Sequence, residues 1–444
     1  MMRFEFEWLD APEEGDVLEA RTMARLAWSV GDHVITRVYD RATRSERHGI
    51  HVPLFPLAQW LVSHWWALLY EPWPFESFIP QPGEVIGEDV RAWIHRHCVR
   101  TATPGFAAPF TCIYSEGRTV DVVSRADPAG RYASTPVEFV GSSGAAGERE
   151  MCRGALADLV AGVLARLEGA TDARLVALAA DWRTICSLSP QETEFCRAAG
   201  RLGLDPFDVA GWPAELRGWF EQAGDGVLDS DFMTDLLEAP DPATRKPEQH
   251  AALERIVCQH MVVAARQAYL QGSASTAFQE GYDAAGSLRV KLGLAEDMAL
   301  DDLRDASEAA CGRSLLQEHA TLPEGRVLAV AGWRSQGDPI VITRSTGAPA
   351  RRFLAARALH LTLRGAARGP RLVTDARTWE QRASRAFGAE LLAPRAGVAT
   401  LFNDAVRRFG REEAGLFVAA HYRVSPMVIG HQLSNQRTGA EGWG

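Results

Sequence analysis

The spacing of apolar residues changes once along this chain. Up to about residue 145, apolar and polar residues alternate in short runs, a pattern typical of half-buried strands. Beyond that point, apolar residues recur every three or four positions, as in amphipathic helices. With 46% hydrophobic and 23% charged residues, the 444-residue chain is not disordered, collagen-like or purely coiled-coil. The sequence therefore predicts a multidomain α+β fold.

Four runs in the first part of the chain predict strands. They are FEFEWL near the start, His33–Asp40, Thr111–Arg125 and Ser134–Val140. The tetrapeptide SEGR lies between the two β-rich halves of the third run, so we expect a hairpin turn there. A helix near Glu88–Val99 and a tryptophan-rich helix are expected to pack on the sheet. Together these elements predict an α+β lobe over residues 1–145.

One apolar segment, Pro53–Tyr70, has the composition of a membrane span. Its helical part can begin only near Leu57, after Pro56, which leaves about 14 residues or about 21 Å against about 30 Å of hydrocarbon. Four apolar residues recur on one side at helical spacing: Leu57, Leu61, Trp65 and Leu68. We therefore expect a helix buried in the protein, and no membrane association.

A small-residue stretch, GSSGAAG at Gly141–Gly147, is the best candidate for a linker. After it, helices are predicted at about 148–168, 172–184, 190–201, 213–223, 229–238 and 248–271. We therefore expect a helical lobe over residues 146–272 and a third domain over residues 273–444.

Two local signals lie inside the helical lobe. SPQE at residues 189–192 is a capping box with proline at the first helical position, which fixes a helix start. The stretch Ala199–Trp212 has the small, glycine and apolar spacing of a helix-turn-helix. Its second helix would carry Asp205 and Asp208, which repel phosphate, so we expect helix-turn-helix packing rather than DNA reading.

From about Gln279 to Gln436 the predicted elements follow an informative order. Two helices precede two apolar strands, and then come the helices RRFLAARALHLTL and TWEQRASRAFGAELLAP and the terminal pair VAAHYRVSPMVIGHQLSNQ. This order resembles the ImmA/IrrE family of bacterial zinc metallopeptidases. The resemblance covers a little over a third of the chain. It implies a zincin-like domain with a small sheet, an HExxH helix, a glutamate-bearing helix and a terminal helix pair.

Three short motifs carry the resemblance. The most specific is Phe387–Pro394, FGAELLAP, which is preceded by Glu380 and by arginines at helical spacing. The second is VSP at Val424–Pro426, with a tyrosine before it and an asparagine after it. The third is RRF at Arg351–Phe353, before the helix that corresponds to HExxH.

That helix departs from the family at its catalytic positions. If His360 corresponds to the second histidine of HExxH, Ala356 takes the place of the first histidine and Arg357 that of the glutamate. Zinc needs two imidazoles one helical turn apart and a third ligand, and a carboxylate must accept the proton of the bound water. Alanine cannot bind a metal, and arginine stays cationic. We therefore expect no catalytic residues and no cofactor here.

The remaining candidate ligands are His360 and Glu380, with His319 as a third group that could approach them. Glu390 belongs to the AELL run and is expected to cap or pack. One hypothesis is that Arg357 pairs with Glu380 where the metal once lay. The alternative is that Arg357 is a solvated helix-face residue and His360 a hydrogen-bonded core histidine.

Aromatic residues concentrate in the first lobe. Its tryptophans include Trp60, Trp65, Trp66, Trp73 and Trp93. Most of them are expected to be core residues, but Trp66 and Tyr70 share a helix face with Gln59 and Ser63 and are therefore binding candidates. His95, His97 and Cys98 have metal-binding chemistry, yet residues two apart on a helix do not face one direction, so no shared metal is expected.

The terminal helix supplies the candidates for DNA recognition. His431, Gln432 and Asn435 carry groups that can contact base edges. The net charge of −10 argues against a nucleic-acid or anionic-membrane platform over the whole surface. No phosphate-binding glycine loop and no G-x-S-x-G motif is present in the sequence.

These observations predict a catalytically inactive metallopeptidase-like protein that binds, senses or scaffolds. By resemblance, it would act on a protein partner in bacterial stress response or in the control of mobile elements and phage. The alternatives are an active zinc endopeptidase with non-standard ligands that cleaves a repressor-type protein, and a DNA-binding regulator. Singly spaced cysteines and the absence of a secretory signal predict a cytoplasmic location.

Overall fold

The chain has a mixed α+β fold made of helices and several small sheets. The computed structural model describes residues 2–10, 15–73, 79–127, 137–222, 230–239, 247–262, 269–270, 276–323, 325–344, 347–364 and 369–437. The chain divides into two compact units, Met1–Pro213 and Ala214–Gly444. The division falls inside the predicted helical lobe, 146–272, and the three-domain organisation stays a prediction.

The first unit contains most of the strands. They are β1 (Met2–Trp8), β2 (Met23–Val30), β3 (His33–Val34), β4 (Val38–Asp40), β5 (Ser45–Arg47), β6 (Ile50–Pro53), β7 (Phe110–Ser115), β8 (Thr119–Arg125), β9 (Val137–Phe139) and β10 (Ser143–Glu148). Its helices are α1 (Val17–Arg21), α2 (Leu54–Ser63), α3 (Trp65–Tyr70), α4 (Glu88–His97), α5 (Arg149–Arg166), α6 (Ala173–Ser187) and α7 (Pro190–Arg201).

Three small antiparallel sheets organise these strands. β2 pairs with β1, β3 and β6; β8 pairs with β7 and β10; and β4 pairs with β5 and β9. The hairpin predicted at SEGR is confirmed, because β7 and β8 flank it in antiparallel register. The predicted strand His33–Asp40 is divided into β3 and β4. Residues 134–136 of the fourth predicted strand lie outside the described part of the chain.

The tryptophan-rich segment forms two helices instead of one. α2 begins at Leu54, upstream of Pro56, because a proline in the first turn removes an N–H that has no helical partner anyway. The helix stops at His64, and α3 follows at once. Leu57, Leu61, Trp65 and Leu68 are all buried, so the prediction of a protein-buried helix is confirmed.

The predicted linker is wrong. Ser143–Glu148 forms β10, whose six residues pair with β8 from Ser124 back to Thr119. Small residues suit this place because the chain turns straight into α5, and a Cβ at Gly147 would lie 2.6 Å from the Cys152 Sγ. α5 then packs against β1 and α2. The first helices after residue 145 therefore share a core with the strands before it.

The capping box is confirmed, and the helix-turn-helix is wrong. Ser189 accepts a hydrogen bond from the Glu192 N–H, and the Glu192 side chain accepts one from Ser189 N–H. After α7, however, the residues up to Trp212 form only a 3-10 turn at Val209–Gly211. The Asp205 and Asp208 side chains accept local backbone hydrogen bonds, which favours turns over a second helix.

The second unit is mainly helical. Its helices are α8 (Ala214–Gln222), α9 (Asp231–Leu237), α10 (Pro247–His260), α11 (Ala277–Lys291), α12 (Leu303–Cys311), α13 (Ala348–Leu363), α14 (Trp379–Leu392), α15 (Arg395–Phe409), α16 (Arg411–Tyr422) and α17 (Pro426–Arg437). Its strands are β11 (Leu316–Ala320), β12 (Val327–Trp333), β13 (Pro339–Arg344) and β14 (Arg371–Thr374).

These four strands form one mixed sheet in the order β11-β13-β12-β14. β11 runs parallel to β13, whereas β12 is antiparallel to both of its neighbours. α13 packs on the sheet, and α14 packs between α13 and α11. The sequence predicted β12 and β13 but neither edge strand. The helix predicted at 248–271 ends at His260, and Val262 pairs with Trp333 as a β-bridge.

Among the described residues, no helix combines the length and the apolar character that a membrane crossing requires.

The contact between α11 and α14 gives a test of the fold. A Cβ at Gly281 would lie 2.3 Å from the Ala383 carbonyl oxygen and 2.7 Å from the Phe387 nitrogen, both backbone atoms. We expect Gly281→Ala to destabilise the chain by about 1–3 kcal/mol, because the two helix backbones must move apart. Gly286→Ala on the same helix meets open space and should stabilise by about 0.5–1 kcal/mol.

Urea unfolding followed by circular dichroism measures both effects. Equal free energies of unfolding for the two variants would contradict the close packing of α11 on α14.

Candidate functional site

The helix that corresponds to HExxH is buried along its C-terminal half. In α13, Ala356 and His360 are fully buried and Arg357 is 2% exposed. Arg357 faces α14, where a Cβ on Gly388 would lie 3.3 Å from the Arg357 Cγ. The predicted catalytic positions therefore lie inside the second unit, between α13, α14 and the sheet, and the expectation of a solvated Arg357 is wrong.

Three neutral groups hold the Arg357 guanidinium. Its Nη2 donates to the Thr374 carbonyl at 2.7 Å and to the Gln381 Oε1 at 3.0 Å, and its Nε donates to the Ser384 Oγ at 3.3 Å. Burial lowers the pKa of Arg357 to about 9, and the nearby Arg385 lowers it further. The group remains cationic at neutral pH, so position 357 holds a buried positive charge.

The hypothetical pair between Arg357 and Glu380 is wrong. Glu380 lies 3.7 Å from the Nη1 of Arg364, which follows the end of α13. Arg364 also forms a closer ion pair with the buried Glu280, and the Trp379 indole N–H donates to the same carboxylate at 3.0 Å. Glu380 stands at the first turn of α14 and turns toward Arg364, whereas Arg357 meets the next turn.

A second buried ion pair joins α9 to β14. Asp235 of α9 binds Arg371 of β14 through two contacts of 2.8 and 3.1 Å and accepts the Leu372 N–H at 2.9 Å. Burial alone would lower the pKa of Arg371, but the Asp235 carboxylate raises it above its ordinary range. Arg371 therefore keeps its charge inside the protein.

The Gln381 side chain connects Arg357 with the ion pair of Asp235 and Arg371. Its Oε1 accepts from Arg357 and from the Thr374 N–H, and its Nε2 donates to the Leu372 carbonyl at 2.7 Å and to the Asp235 Oδ1 at 3.2 Å. We call these four side chains, Asp235, Arg357, Arg371 and Gln381, the buried polar layer. The sequence analysis missed three of them, although an aspartate such as Asp235, directly followed by two leucines in an amphipathic helix, is a signal for a buried partner.

His360 lies beside this layer and has no polar contact. Neither ring nitrogen has a hydrogen-bond partner in the described part of the chain, and the ring packs on Phe387 with centroids 4.9 Å apart. Burial lowers the pKa of His360 well below its ordinary value, and the charges of Arg364 and Arg371 lower it further. The expectation of a hydrogen-bonded core histidine is therefore wrong; the ring is neutral and apolar in its surroundings.

These residues do not fit zinc. Within the described ranges, no group of three or more histidine, cysteine, aspartate or glutamate side chains could hold a metal ion. The nearest carboxylates are engaged by arginines, and His319 donates or accepts at the Thr343 hydroxyl, 3.0 Å away on the adjacent strand. A metal at His360 would also meet the positive charges of Arg357, Arg364 and Arg371.

The DNA-reading candidates on α17 point into the protein. Gln432 is fully buried and donates to the Ala393 carbonyl at 2.8 Å and to the Glu390 carboxylate at 3.1 Å. Asn435 is 2% exposed and donates to the Tyr282 hydroxyl at 2.7 Å. Neither amide can contact a base edge, so this prediction is wrong for both; His431 is half-buried, and burial lowers its pKa.

The FGAELLAP run has a structural explanation. Glu390 accepts the Arg395 N–H at 3.2 Å and forms an ion pair with the Arg395 side chain at 3.3 Å, so it caps α15 as expected. Because burial outweighs these contacts, the pKa of Glu390 is raised. The Tyr422 hydroxyl before VSP donates to the Glu296 carbonyl at 2.9 Å, and Arg423 takes a left-handed conformation that ends α16.

In the first unit, both aromatic binding candidates are buried. Trp66 is 8% and Tyr70 is 3% exposed, and their rings stack with centroids 5.9 Å apart. The Arg149 guanidinium lies over the Tyr70 ring at 4.5 Å. They do not share a helix face with Gln59 as expected, because the helix is interrupted at His64, between α2 and α3.

His97 belongs to a buried polar cluster that the sequence analysis missed. Its Nε2 lies 2.9 Å from Glu71, its Nδ1 lies 2.6 Å from the Ile113 carbonyl, and Arg96 binds Glu71 at 2.6 Å. Burial would raise the pKa of Glu71, but His97 and Arg96 lower it below its ordinary value. The His95 ring lies against His64 instead, with ring centroids 6.0 Å apart.

No family model, curated protein or solved structure matches this chain.

The unpartnered imidazole predicts a pH dependence of stability. In the unfolded chain His360 binds a proton below about pH 6.5, but in the folded state its pKa is depressed. Protonation therefore favours the unfolded state, and stability falls as the pH falls through that value, by up to about 1.4 kcal/mol per pH unit. In His360→Leu this component disappears, and the variant should be at least as stable as the wild type at pH 8.

The measurement is urea unfolding of both proteins between pH 8 and pH 5. A difference in unfolding free energy between them that does not change with pH would contradict the buried, neutral imidazole.

The buried polar layer predicts a large effect of one isosteric substitution. Asp235→Asn leaves Arg371 without its counter-charge, so we expect a loss of about 3–5 kcal/mol in unfolding free energy. Asp305→Asn on the exposed surface of α12 makes the same chemical change and should stay within about 0.5 kcal/mol of the wild type. Chemical denaturation of the two variants side by side measures this, and similar losses in both would rule out a structural ion pair at Asp235.

Proposed function

We propose that this chain is a catalytically inactive, metallopeptidase-like regulator or sensor that acts through binding a protein partner. The observation that carries the proposal is the Arg357 guanidinium, which is buried and hydrogen-bonded at the position of the family's catalytic glutamate. A general base must accept a proton from water, and a guanidinium cannot do so. The position is also locked, since three acceptors fix the side chain between α13 and α14.

The arrangement of the second unit supports a zincin-like origin. A helix packs on a small mixed sheet, and a second helix ending in AELLAP packs across it, in the chain order that the ImmA/IrrE resemblance implies. The helix positions that would supply ligands now hold Ala356 and Arg357. A fold persists when its packing is preserved, even if its chemistry is lost.

The role in bacterial stress response, or in control of mobile elements and phage, follows from the resemblance. Enzymes of that family commonly act by cleaving a repressor. A homologue that keeps the scaffold without a base or a metal site would bind such a protein without cutting it. The partner would be a protein rather than DNA, because Gln432 and Asn435 of α17 are buried.

Metal content tests the proposal directly. The full-length chain, purified without chelator and without nickel affinity, is analysed by mass spectrometry beside a His360→Ala variant. We expect far less than one zinc per chain in both, because a single neutral imidazole cannot hold the metal among three arginines. About one zinc per chain that is lost in the variant would replace this proposal with the active endopeptidase.

A second arm addresses the DNA-binding alternative. The chain is titrated with duplex DNA at 50 and 200 mM salt. We expect no DNA binding of the kind whose affinity falls steeply with salt, because a net charge of −10 repels the phosphate backbone. Affinity that falls by orders of magnitude between the two salt concentrations would favour a DNA-binding regulator instead.

A further inference from the structure

The first unit contains a cleft whose role nothing above explains. Its volume is about 580 Å³, within the range of about 300–1,000 Å³ that small-molecule sites occupy. The corner between α2 and α3, the C-terminal part of α4, one side of α6 and the loop after α7 form its walls. The residues that matter for its chemistry are His64, Trp66, Arg96, Asp181, Asp205 and Phe207.

Two glycines, one at the end of α7 and one in the loop after it, allow this part of the chain to pack closely against α3 and Arg96. A Cβ at Gly200 would lie 2.6 Å from the Trp66 carbonyl oxygen. A Cβ at Gly203, which has a φ of +67°, would lie 2.5 Å from the Glu71 carboxylate and 2.7 Å from the Arg96 Nη2. The cleft therefore has a closely packed floor, which positions its polar groups.

The positive groups of the cleft are already compensated. Arg96 donates two hydrogen bonds to Glu71, at 2.6 and 3.0 Å, and Glu71 is 5% exposed. The His64 Nδ1 lies 2.9 Å from the Trp60 carbonyl, so in the neutral ring that nitrogen donates and Nε2 is an acceptor. Burial lowers the pKa of His64, which keeps the ring neutral at pH 7.

The negative groups are not compensated. Asp181 of α6 and Asp205 of the loop both line the cleft and are exposed. Neither carboxylate forms an ion pair with any residue of the described part of the chain. With Arg96 balanced by Glu71 and His64 neutral, the cleft carries a net negative charge.

Aromatic rings line the same space. Phe207 is 52% exposed, and Trp66 is more than nine-tenths buried. Aromatic faces attract cations, so an exposed phenyl ring in a cleft that also holds two carboxylates suits a positively charged ligand.

We propose that this cleft binds a small organic cation, an ammonium or guanidinium group on an apolar or aromatic body. Asp181 and Asp205 pair with the positive group, Phe207 covers the body, and the His64 Nε2 accepts a hydrogen bond from it. This inference is independent of the proposed function, because it concerns only residues of the first unit.

Isothermal titration calorimetry of the full-length chain at pH 7.5 tests it with three probes that share one body. They are 2-phenylethylammonium, the uncharged 2-phenylethanol and the anionic phenylacetate. We expect the amine to bind one per chain and at least about tenfold more tightly than the alcohol, because two carboxylates each contribute a few-fold. The anion should not bind.

Substitutions in the cleft locate the binding. Asp181→Asn combined with Asp205→Asn should weaken the amine about tenfold and leave the alcohol unchanged. The control Asp158→Asn removes one exposed carboxylate of α5 outside the cleft and should leave amine affinity unchanged. Phe207→Ala should weaken the amine and the alcohol together. All three changes are on the surface, and circular dichroism confirms that the variants remain folded.

Several outcomes would overturn the proposal: no amine binding up to about 10 mM, equal affinity for amine and alcohol, preference for phenylacetate, or an unchanged double variant. A fourth probe, acetyl-Ala-Arg-Ala-amide, separates the sources of the cation. If it binds more tightly than the amine, the natural ligand is a basic side chain of a peptide; if more weakly, it is a free amine.

Discussion

The second unit depends on how one buried guanidinium is accommodated. Taking the charge of Arg357 out of water is unfavourable unless hydrogen-bond acceptors in the protein replace water around its guanidinium. Thr374 supplies a backbone carbonyl at the end of β14, and Gln381 and Ser384 supply side-chain oxygens from α14. These three acceptors set the position of α13 relative to both the sheet and α14. Gly388 of α14 then lets α13 approach closely enough for the contacts to form.

One of these acceptors, Gln381, also binds a second buried charged group. Because the Gln381 amide binds Asp235 with its nitrogen and Arg357 with its oxygen, its orientation is fixed from both sides. Asp235 in turn neutralises Arg371, whose backbone belongs to the strand that carries Thr374. The layer thus behaves as one unit, and replacing any member leaves a buried group without its partner. His360 borders this layer without joining it, so its surroundings disfavour a proton or a metal ion.

Local patterns in the sequence predicted what depends on near neighbours. The capping box at Ser189, the β7–β8 hairpin and most helices were identified because their signals lie within a few residues. The buried pair of Asp235 and Arg371 spans 136 positions and has no local signature. The polar residues of α17 show the same limit: Gln432 and Asn435 have the chemistry of DNA contacts, but only the packed structure reveals that Ala393 and Tyr282 occupy them. Small residues at 141–147 predicted a linker because glycine and serine are typical of loops, whereas Ser143–Glu148 form an edge strand.

The sign of the charge at position 357 is the strongest argument about function. A metallopeptidase places a carboxylate beside its metal, which attracts the cation and accepts a proton from bound water. A guanidinium in that place reverses both effects, and no rotation of the side chain restores them while its three hydrogen bonds hold. Replacing Arg357 with glutamate would not supply a general base in this place, since a glutamate facing the Thr374 carbonyl and the Gln381 oxygen would meet acceptors where it needs donors. The surrounding residues therefore match an arginine at this position and not a glutamate.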